Sequence, residues 1–217
     1  MQEIGITDIS IHALELPGRG NRAAETLITN TKAAIADYTH QINSKRNGAP
    51  YIIYGHSMGA IMGLYIVNKM EAQKDAPLQF IATGTPGPGI EKAGETPVQK
   101  KYTLPDEDFK NFLKELGGIP EEILTNKELF DFFSPILRAD FQVIEEDTQT
   151  HTIIHTPIHA IMGSTEPKVA HIQNWKTHTT SAFKAQILPG NHFFIYKHPD
   201  VLIKTILNYY QQKKPKP

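Results

Sequence analysis

Ser57 lies at the centre of a pentapeptide that could perform nucleophilic chemistry. Residues 55–59 read Gly-His-Ser-Met-Gly, between the apolar runs 51–54 and 60–65. This order predicts a strand, a sharp turn and a helix, with the serine Oγ exposed at the end of the strand and the helix N-terminus facing a developing oxyanion. The pattern predicts a nucleophile elbow, and the alternative is a glycine-rich turn with an unreactive serine.

A serine hydroxyl is a weak nucleophile and needs a neighbouring base. Ten histidines compete for this role, and His192 differs from the others because it ends the turn 189–192, directly after the last predicted strand. In serine hydrolases built on parallel sheets, the chain order is serine, acid, histidine. His56 lies inside the elbow and cannot easily fold back on its neighbour. We therefore predict that His192 is the base.

The acid that orients the histidine should follow the strand that ends at Gly163. Glu166 is the carboxylate in that turn. Asp140 is the alternative, although it lies in a helix-like stretch beside Arg138 and resembles a structural ion pair or a lid anchor. We favour Glu166 and keep Asp140 open.

No metal or cofactor is expected. His151, His155 and His159 are spaced by four, as in some metal sites, but Pro157 breaks any helix that would align them. The chain has no cysteine, which excludes disulfides, thiolate metal sites and a cysteine nucleophile.

Composition limits the remaining classes of function. The chain has 217 residues, of which 40% are hydrophobic, so it suits one domain with a sizeable core. The net charge of −1 gives no broad basic face for nucleic acid. No stretch is long and apolar enough to cross a membrane, and the N-terminus lacks a charged and then apolar signal. We expect a cytoplasmic protein that binds neither nucleic acid nor membrane.

Strands alternating with helices indicate an α/β fold with a parallel sheet. Gly59 and Gly63 are four residues apart on the elbow helix, which would let that helix approach the sheet closely. The predicted strands cover about 9–14, 51–54, 78–83, 157–163 and 183–188, and the predicted helices cover about 22–44, 58–70, 169–178 and the segment from Pro199.

Residues from about 104 to 133 change in character. Phe109, Phe112 and Leu113 follow helical spacing up to the glycine pair 117–118, and Pro120 opens a short helix. Helical insertions between the strands of α/β sheets often build substrate sites. We predict a single domain, 1–217, with a core at 1–102 and 135–217 and a helical lid at about 103–134.

With these residues in place, the chain resembles the type II thioesterases of nonribosomal peptide and polyketide pathways, from Ile9 to Tyr210. The resemblance implies an α/β-hydrolase fold with a parallel sheet and a helical lid insertion. The segments that carry it are 16–22 (Leu-Pro-Gly-Arg-Gly-Asn-Arg), 55–60, 104–106, 117–122, 135–141 (Pro-Ile-Leu-Arg-Ala-Asp-Phe), Trp175 and 188–194 (Leu-Pro-Gly-Asn-His-Phe-Phe).

This resemblance implies hydrolysis of acyl thioesters on the phosphopantetheine arm of acyl or peptidyl carrier proteins, as a proofreading step performed by a monomer. By position, Ser57 would attack the carbonyl, His192 would take its proton, and the Met58 N–H would donate to the oxyanion. The acid in the family is usually Asp, so Glu166 is a departure and Asp140 stays an alternative.

The family also begins with a strand and an aromatic/Ala-Gly-Gly loop that supplies a second oxyanion donor. We expect the chain to lack these N-terminal strands and Met1 to be internal to a longer natural protein. Two other functions stay open: an esterase or acyltransferase acting on a non-carrier substrate, and a catalytically impaired module that only binds carrier proteins.

Overall fold

The sheet at the centre of the computed structural model, which describes residues 9–90, 99–147 and 151–213, is parallel throughout. Among these residues it has four strands in the spatial order β1-β2-β3-β4, so each strand pairs with its neighbour in the chain. The predicted α/β architecture is confirmed. The strands are β1 (Ile52–His56), β2 (Gln79–Thr83), β3 (Ile158–Gly163) and β4 (Phe183–Leu188).

Helices connect the strands and cover the sheet. Residues 169–178, which were predicted to be a helix, form a 3₁₀ helix. The α-helices are α1 (Thr31–Lys45), α2 (Met58–Ala72), α3 (Asp106–Leu116), α4 (Glu121–Thr125), α5 (Lys127–Glu145) and α6 (Pro199–Lys213).

The prediction of a first strand at residues 9–14 is wrong. These residues form no strand, and Ile11 is 89% exposed. An alternating segment becomes a strand only where a neighbour accepts its backbone hydrogen bonds. Within the described residues, β1 is an edge of the sheet and segment 9–14 does not pair with it.

The helix predicted at 22–44 begins later, at Thr31. The Asn30 side chain accepts a hydrogen bond from the Ala33 N–H and caps the helix. Arg22 instead ends a short 3₁₀ helix, Gly20–Arg22, and its guanidinium pairs with Asp37 and Glu25. A capping side chain and an ion pair therefore set the start, and neither follows from hydrophobic spacing.

Gly63 and Gly55 let α2 approach the sheet closely. The sequence analysis predicted this role for Gly59 and Gly63, and only Gly63 has it. A Cβ on Gly63 would lie 2.6 Å from Cε2 of the buried Phe80. A Cβ on Gly59 would meet nothing within 4 Å, so that interpretation of Gly59 is wrong. The second close approach is at Gly55, where a Cβ would lie 2.1 Å from the Gly59 carbonyl oxygen.

The helices α3, α4 and α5 lie between β2 and β3 in the chain and share a small apolar cluster of their own. The C-terminal part of α5 belongs to the main core, because Val143 is fully buried there and its carbonyl accepts a hydrogen bond from Thr31 Oγ1 at 2.6 Å. The division into core and lid stays a prediction, although α5 runs unbroken across residue 134. The cluster shared by the three helices consists of Phe109, Leu113, Leu124 and Phe130.

Within the described residues, no helix combines the length and the apolar composition needed to span a bilayer.

Candidate active site

The turn at Ser57 has the backbone geometry of an elbow. β1 ends at His56 and α2 begins at Met58, so Ser57 alone joins them. Its φ of 54° lies in the left-handed region, which a non-glycine residue occupies only under constraint. The constraint includes a 2.8 Å hydrogen bond from the Ser57 N–H to the Thr83 carbonyl at the end of β2. The sheet therefore holds the serine in its strained conformation.

Met58 is the first residue of α2, directly after Ser57. The first N–H groups of a helix have no acceptor within the helix and carry the positive end of its dipole. The first hydrogen bond at this end runs from the Ala60 N–H to the Ser57 carbonyl at 2.9 Å. The Met58 N–H is therefore available to an anion beside Ser57.

Glu166 and His192 are brought together by the turns after β3 and β4. His192 Nδ1 lies 2.9 Å from Glu166 Oε2, and the other carboxylate oxygen, Oε1, accepts the Gly163 N–H at 2.6 Å. The Glu166 side chain is only 5% exposed. Both oxygens of a buried carboxylate are thus satisfied, and one of them fixes the orientation of the imidazole.

The two turns are tied to each other along their length. The Ser164 N–H donates to the Leu188 carbonyl at 2.8 Å, and Thr165 Oγ1 donates to the Gly190 carbonyl at 3.0 Å. A Cβ on Gly163 would lie 2.4 Å from the Asn191 carbonyl oxygen, so the turns approach closely only because this residue is glycine. The Glu166–His192 contact thus rests on paired backbone and not on flexible side chains.

Asp140, the alternative acid, pairs with Arg19 and not with His192. Its two carboxylate oxygens accept hydrogen bonds from Arg19 Nη1 at 2.6 and 2.7 Å. Burial raises the pKa of the Asp140 carboxyl, and the Arg19 hydrogen bond opposes this shift. Arg138, its neighbour in the sequence, binds the Tyr102 and Leu104 carbonyls instead. The structure therefore pairs Asp140 with Arg19 and pairs Glu166 with the histidine.

His56 was set aside in the sequence analysis, yet its ring lies beside His192, with the ring centroids 4.9 Å apart. His56 Nδ1 lies 3.0 Å from Thr83 Oγ1, and its Nε2 is buried without a hydrogen-bond partner among the described residues. Burial, and the neighbouring His192 to a lesser degree, lower the pKa of His56 to about 4. The proximity of the two rings depends on Gly84, because a Cβ there would lie 2.4 Å from His56 Cε1 and 3.2 Å from His192 Cε1.

Ser57 directly follows His56, the residue whose ring lies beside His192. Among the described residues, the hydrogen bonds of Ser57 run through its backbone, and none joins its Oγ to the imidazole. Catalytic hydrogen bonds are often long in ligand-free enzymes and tighten once substrate is bound. The arrangement suits nucleophilic attack by a serine assisted by a histidine and a carboxylate.

The three histidines spaced by four do not form a cluster. His155 is exposed, with Nδ1 2.8 Å from Thr180 Oγ1, whereas His159 is fully buried within β3. No group of three or more metal-binding side chains occurs in the part of the chain that the structure describes.

The chain is similar to known proteins over nearly its whole length, and it matches the thioesterase domain family over residues 2–210. It is 30% identical to the linear gramicidin dehydrogenase LgrE of Brevibacillus parabrevis over 205 residues, which cover 91% of this chain and 76% of that protein. It is also 30% identical to the gramicidin S biosynthesis protein GrsT of Aneurinibacillus migulanus, over 88% of this chain and 74% of the relative.

A solved structure supports the same grouping. ClbQ from the colibactin NRPS/PKS pathway superposes with a TM-score of 0.80 at 27% identity, over 92% of this chain and 84% of its own. LgrE is named a dehydrogenase, whereas the matched family is that of thioesterases and the elbow geometry is that of a serine hydrolase. The chain belongs to the thioesterase domain family and is a thioester hydrolase with an α/β-hydrolase fold.

Proposed function

We propose that this enzyme hydrolyses acyl thioesters on the phosphopantetheine arm of carrier proteins, and so clears stalled or wrongly primed groups in nonribosomal peptide or polyketide synthesis. The observation that carries the proposal is the buried Glu166–His192 pair beside the strained turn at Ser57. The relative GrsT, named for gramicidin S biosynthesis, and the structural neighbour ClbQ, from an NRPS/PKS pathway, support the choice of substrate class.

In the proposed mechanism, Ser57 Oγ attacks the thioester carbonyl while His192 Nε2 takes the hydroxyl proton. The Met58 N–H donates to the oxygen that becomes negative. When the tetrahedral intermediate collapses, the C–S bond breaks and His192 returns the proton to the departing thiol. A water molecule, deprotonated by the same imidazole, then attacks the acyl-serine ester. The bond between the acyl carbon and Ser57 Oγ breaks, His192 returns the proton to Oγ, and the free acid leaves.

Glu166 has an indirect role in this proposal. Its Oε2 accepts a hydrogen bond from the Nδ1–H of His192, which leaves Nε2 free to act as a base toward Ser57, and the carboxylate stabilises the imidazolium that forms. The bond from the Gly163 N–H to Oε1 keeps the carboxylate in place during both half-reactions.

The test is release of free acid from an acetyl-loaded carrier protein. The wild type is compared with Ser57→Ala and with a matched control, Ser44→Ala, whose hydroxyl is exposed at the end of α1. We expect release by the wild type and by the control, and none by Ser57→Ala. A faster reaction with simple oxygen esters or with an amine acceptor would favour the esterase or acyltransferase alternative.

A fluorophosphonate probe separates catalysis from binding alone. An activated Ser57 reacts covalently with the probe, whereas a module that only binds carrier proteins does not label. Failure of the wild type both to label and to release acid would overturn the proposal in favour of that module.

A further inference from the structure

The glycine turn between α3 and α4, residues 117–118, lies directly against the ring of Phe193. A Cβ on Gly118 would be 2.3 Å from both Cε2 and Cζ of that ring, which is far below any real carbon–carbon contact. At Gly117, a Cβ would lie 3.9 Å from Phe193 Cδ2, an ordinary van der Waals distance. The backbone of Gly118 therefore touches the ring, and the fit depends on this residue having no side chain.

Phe193 also contacts the imidazole that precedes it in the chain. The rings of Phe193 and His192 meet edge to face, with centroids 5.0 Å apart and planes at 87°. The ring of Tyr196 stacks on Phe193 at 5.8 Å, but Tyr196 is 71% exposed and is a weak support. Among these contacts, the glycine turn is the support that belongs to the helical insertion. The rings of His192 and His56 lie near the same Phe193 ring, with centroids 5.0 and 5.8 Å away.

We propose that Phe193 is a positioning residue for His192, and that the backbone of Gly118 is the surface that holds Phe193 in place. This inference rests on the proposed function, in which His192 is the base. A shift of the turn moves the Phe193 ring, and the ring then changes the orientation of the imidazole toward Ser57. The position of the helical insertion is therefore coupled to the chemical step, in addition to any part it has in binding the acyl group.

The two glycines of the turn provide a pair of variants for comparison. Gly117 has a φ of +80° with a ψ of −176°, a combination that is essentially restricted to glycine, and Gly118 has a φ of +78°, so alanine at either position carries a backbone penalty. Only at residue 118 does the new methyl group collide with the ring. A greater loss of activity in Gly118→Ala than in Gly117→Ala therefore reports the contact with Phe193.

We expect Gly118→Ala to lower kcat for acid release by on the order of 10- to 100-fold relative to Gly117→Ala, because small misplacements of a reacting group have effects of this size. KM for the loaded carrier should change little. The rate of fluorophosphonate labelling of Ser57 should fall in parallel, since labelling needs the base but not the carrier. Equal kcat and equal labelling rates in the two variants would overturn the inference.

A double-mutant cycle with Phe193→Ala tests the route of the effect. Removing the ring removes the collision, so Gly118→Ala should have little further effect on kcat in the Phe193→Ala background. Fully additive losses would contradict a route through Phe193. If Gly118→Ala fails to fold, the variants Phe193→Leu and Phe193→Ala test the inference instead. Graded losses of the rate of fluorophosphonate labelling support it, and wild-type labelling rates in both variants overturn it.

His192→Gln separates this inference from the proposed function on which it rests. If His192→Gln still releases acid at the wild-type rate, His192 is not the base and the inference fails with that assignment, whereas the thioester hydrolysis itself stands. If His192→Gln is inactive while Gly118→Ala matches Gly117→Ala, the proposed function stands and only the positioning role of Phe193 fails.

Discussion

The imidazole rings of His56 and His192 lie 4.9 Å apart between centroids and are tilted by 41°. His56 has its pKa lowered to about 4 by burial and by its neighbour, so it is uncharged at neutral pH. Two imidazolium ions this close would repel each other strongly. In the proposed reaction, His192 therefore carries the positive charge that forms, and His56 stays neutral.

Gly84→Ala is expected to disrupt this pair of rings. The methyl group would lie 2.4 Å from His56 Cε1, and the φ of +71° adds a left-handed backbone penalty. Gly48→Ala is the matched control, because it has a φ of +81° and open space around its Cβ. Both variants should lose about 1 kcal/mol of unfolding free energy from the backbone.

Only Gly84→Ala should also lose activity, by at least about tenfold in kcat, because the displaced His56 ring presses on His192. Acid release from a loaded carrier measures this difference. If the two variants are equally active, the contact between the rings does not matter for the reaction.

Glu166→Gln and Asp140→Asn distinguish the two candidate acids. The first change keeps the shape of the side chain but removes the charge beside His192 Nδ1, and we expect kcat to fall by about 10⁴-fold because the imidazole loses its correct tautomer. The second change weakens the pair with Arg19, so it should reduce the unfolding free energy by about 1–2 kcal/mol and change kcat only a few-fold.

Steady-state kinetics and urea denaturation of the same two variants check both expectations. A large loss of kcat in Asp140→Asn together with a mild effect in Glu166→Gln would exchange the roles of the two carboxylates.

Acidification from pH 6.5 to about pH 4 is expected to destabilise the fold. Burial lowers the pKa values of His56 and His159 from 6.5 to about 4. Between these values the unfolded chain binds more protons than the folded chain, so the free energy of unfolding falls as the pH falls. The contribution is fully present above pH 6.5. Denaturant titrations at a series of pH values measure the slope.

His159→Leu should reduce that slope, because it removes one of the two buried groups that resist protonation. His171→Leu, at an exposed histidine, is the control and should keep the slope of the wild type. An unchanged slope in His159→Leu would show that its burial does not govern the acid response.

Gly63→Ala should destabilise the packing of α2 on the sheet. Its methyl group would lie 2.6 Å from Phe80 Cε2, and Phe80 is fully buried with its ring against Trp175, so it has little room to move. Overpacking of this kind costs about 1–3 kcal/mol. Thermal or chemical unfolding measures the loss.

Gly59→Ala, one turn earlier on the same helix, serves as the comparison. An alanine Cβ at residue 59 would have no neighbouring atom within 4 Å, and alanine is a better helix former than glycine by up to about 1 kcal/mol. Equal destabilisation of both variants would mean that the close approach at Gly63 is not responsible.

The predictions that succeeded for the fold rest on local signals. The elbow turn, β2 to β4 and α2 follow from runs of apolar residues bounded by glycine and proline. The placement of Glu166 beside His192 followed from the order of the strands, since the carboxyl ends of neighbouring parallel strands meet at one edge.

The predictions that failed, or that were missing, depend on partners distant in the sequence. Segment 9–14 has the pattern of a strand but no described strand beside it, and the start of α1 is set by the Asn30 cap. Asp140 was placed beside Arg138, yet its partner is Arg19, 121 residues away. The proximity of His56 to His192 depends on Gly84, whose missing side chain has meaning only once both rings are in place.

The hydrogen bond from the Ser57 N–H to the Thr83 carbonyl has a consequence for folding. The nucleophile reaches its strained geometry only when the end of β1 has docked on the end of β2, so serine reactivity marks the completion of long-range sheet assembly. Covalent labelling of Ser57 during refolding would therefore time that assembly, whereas circular dichroism would report the formation of the helices.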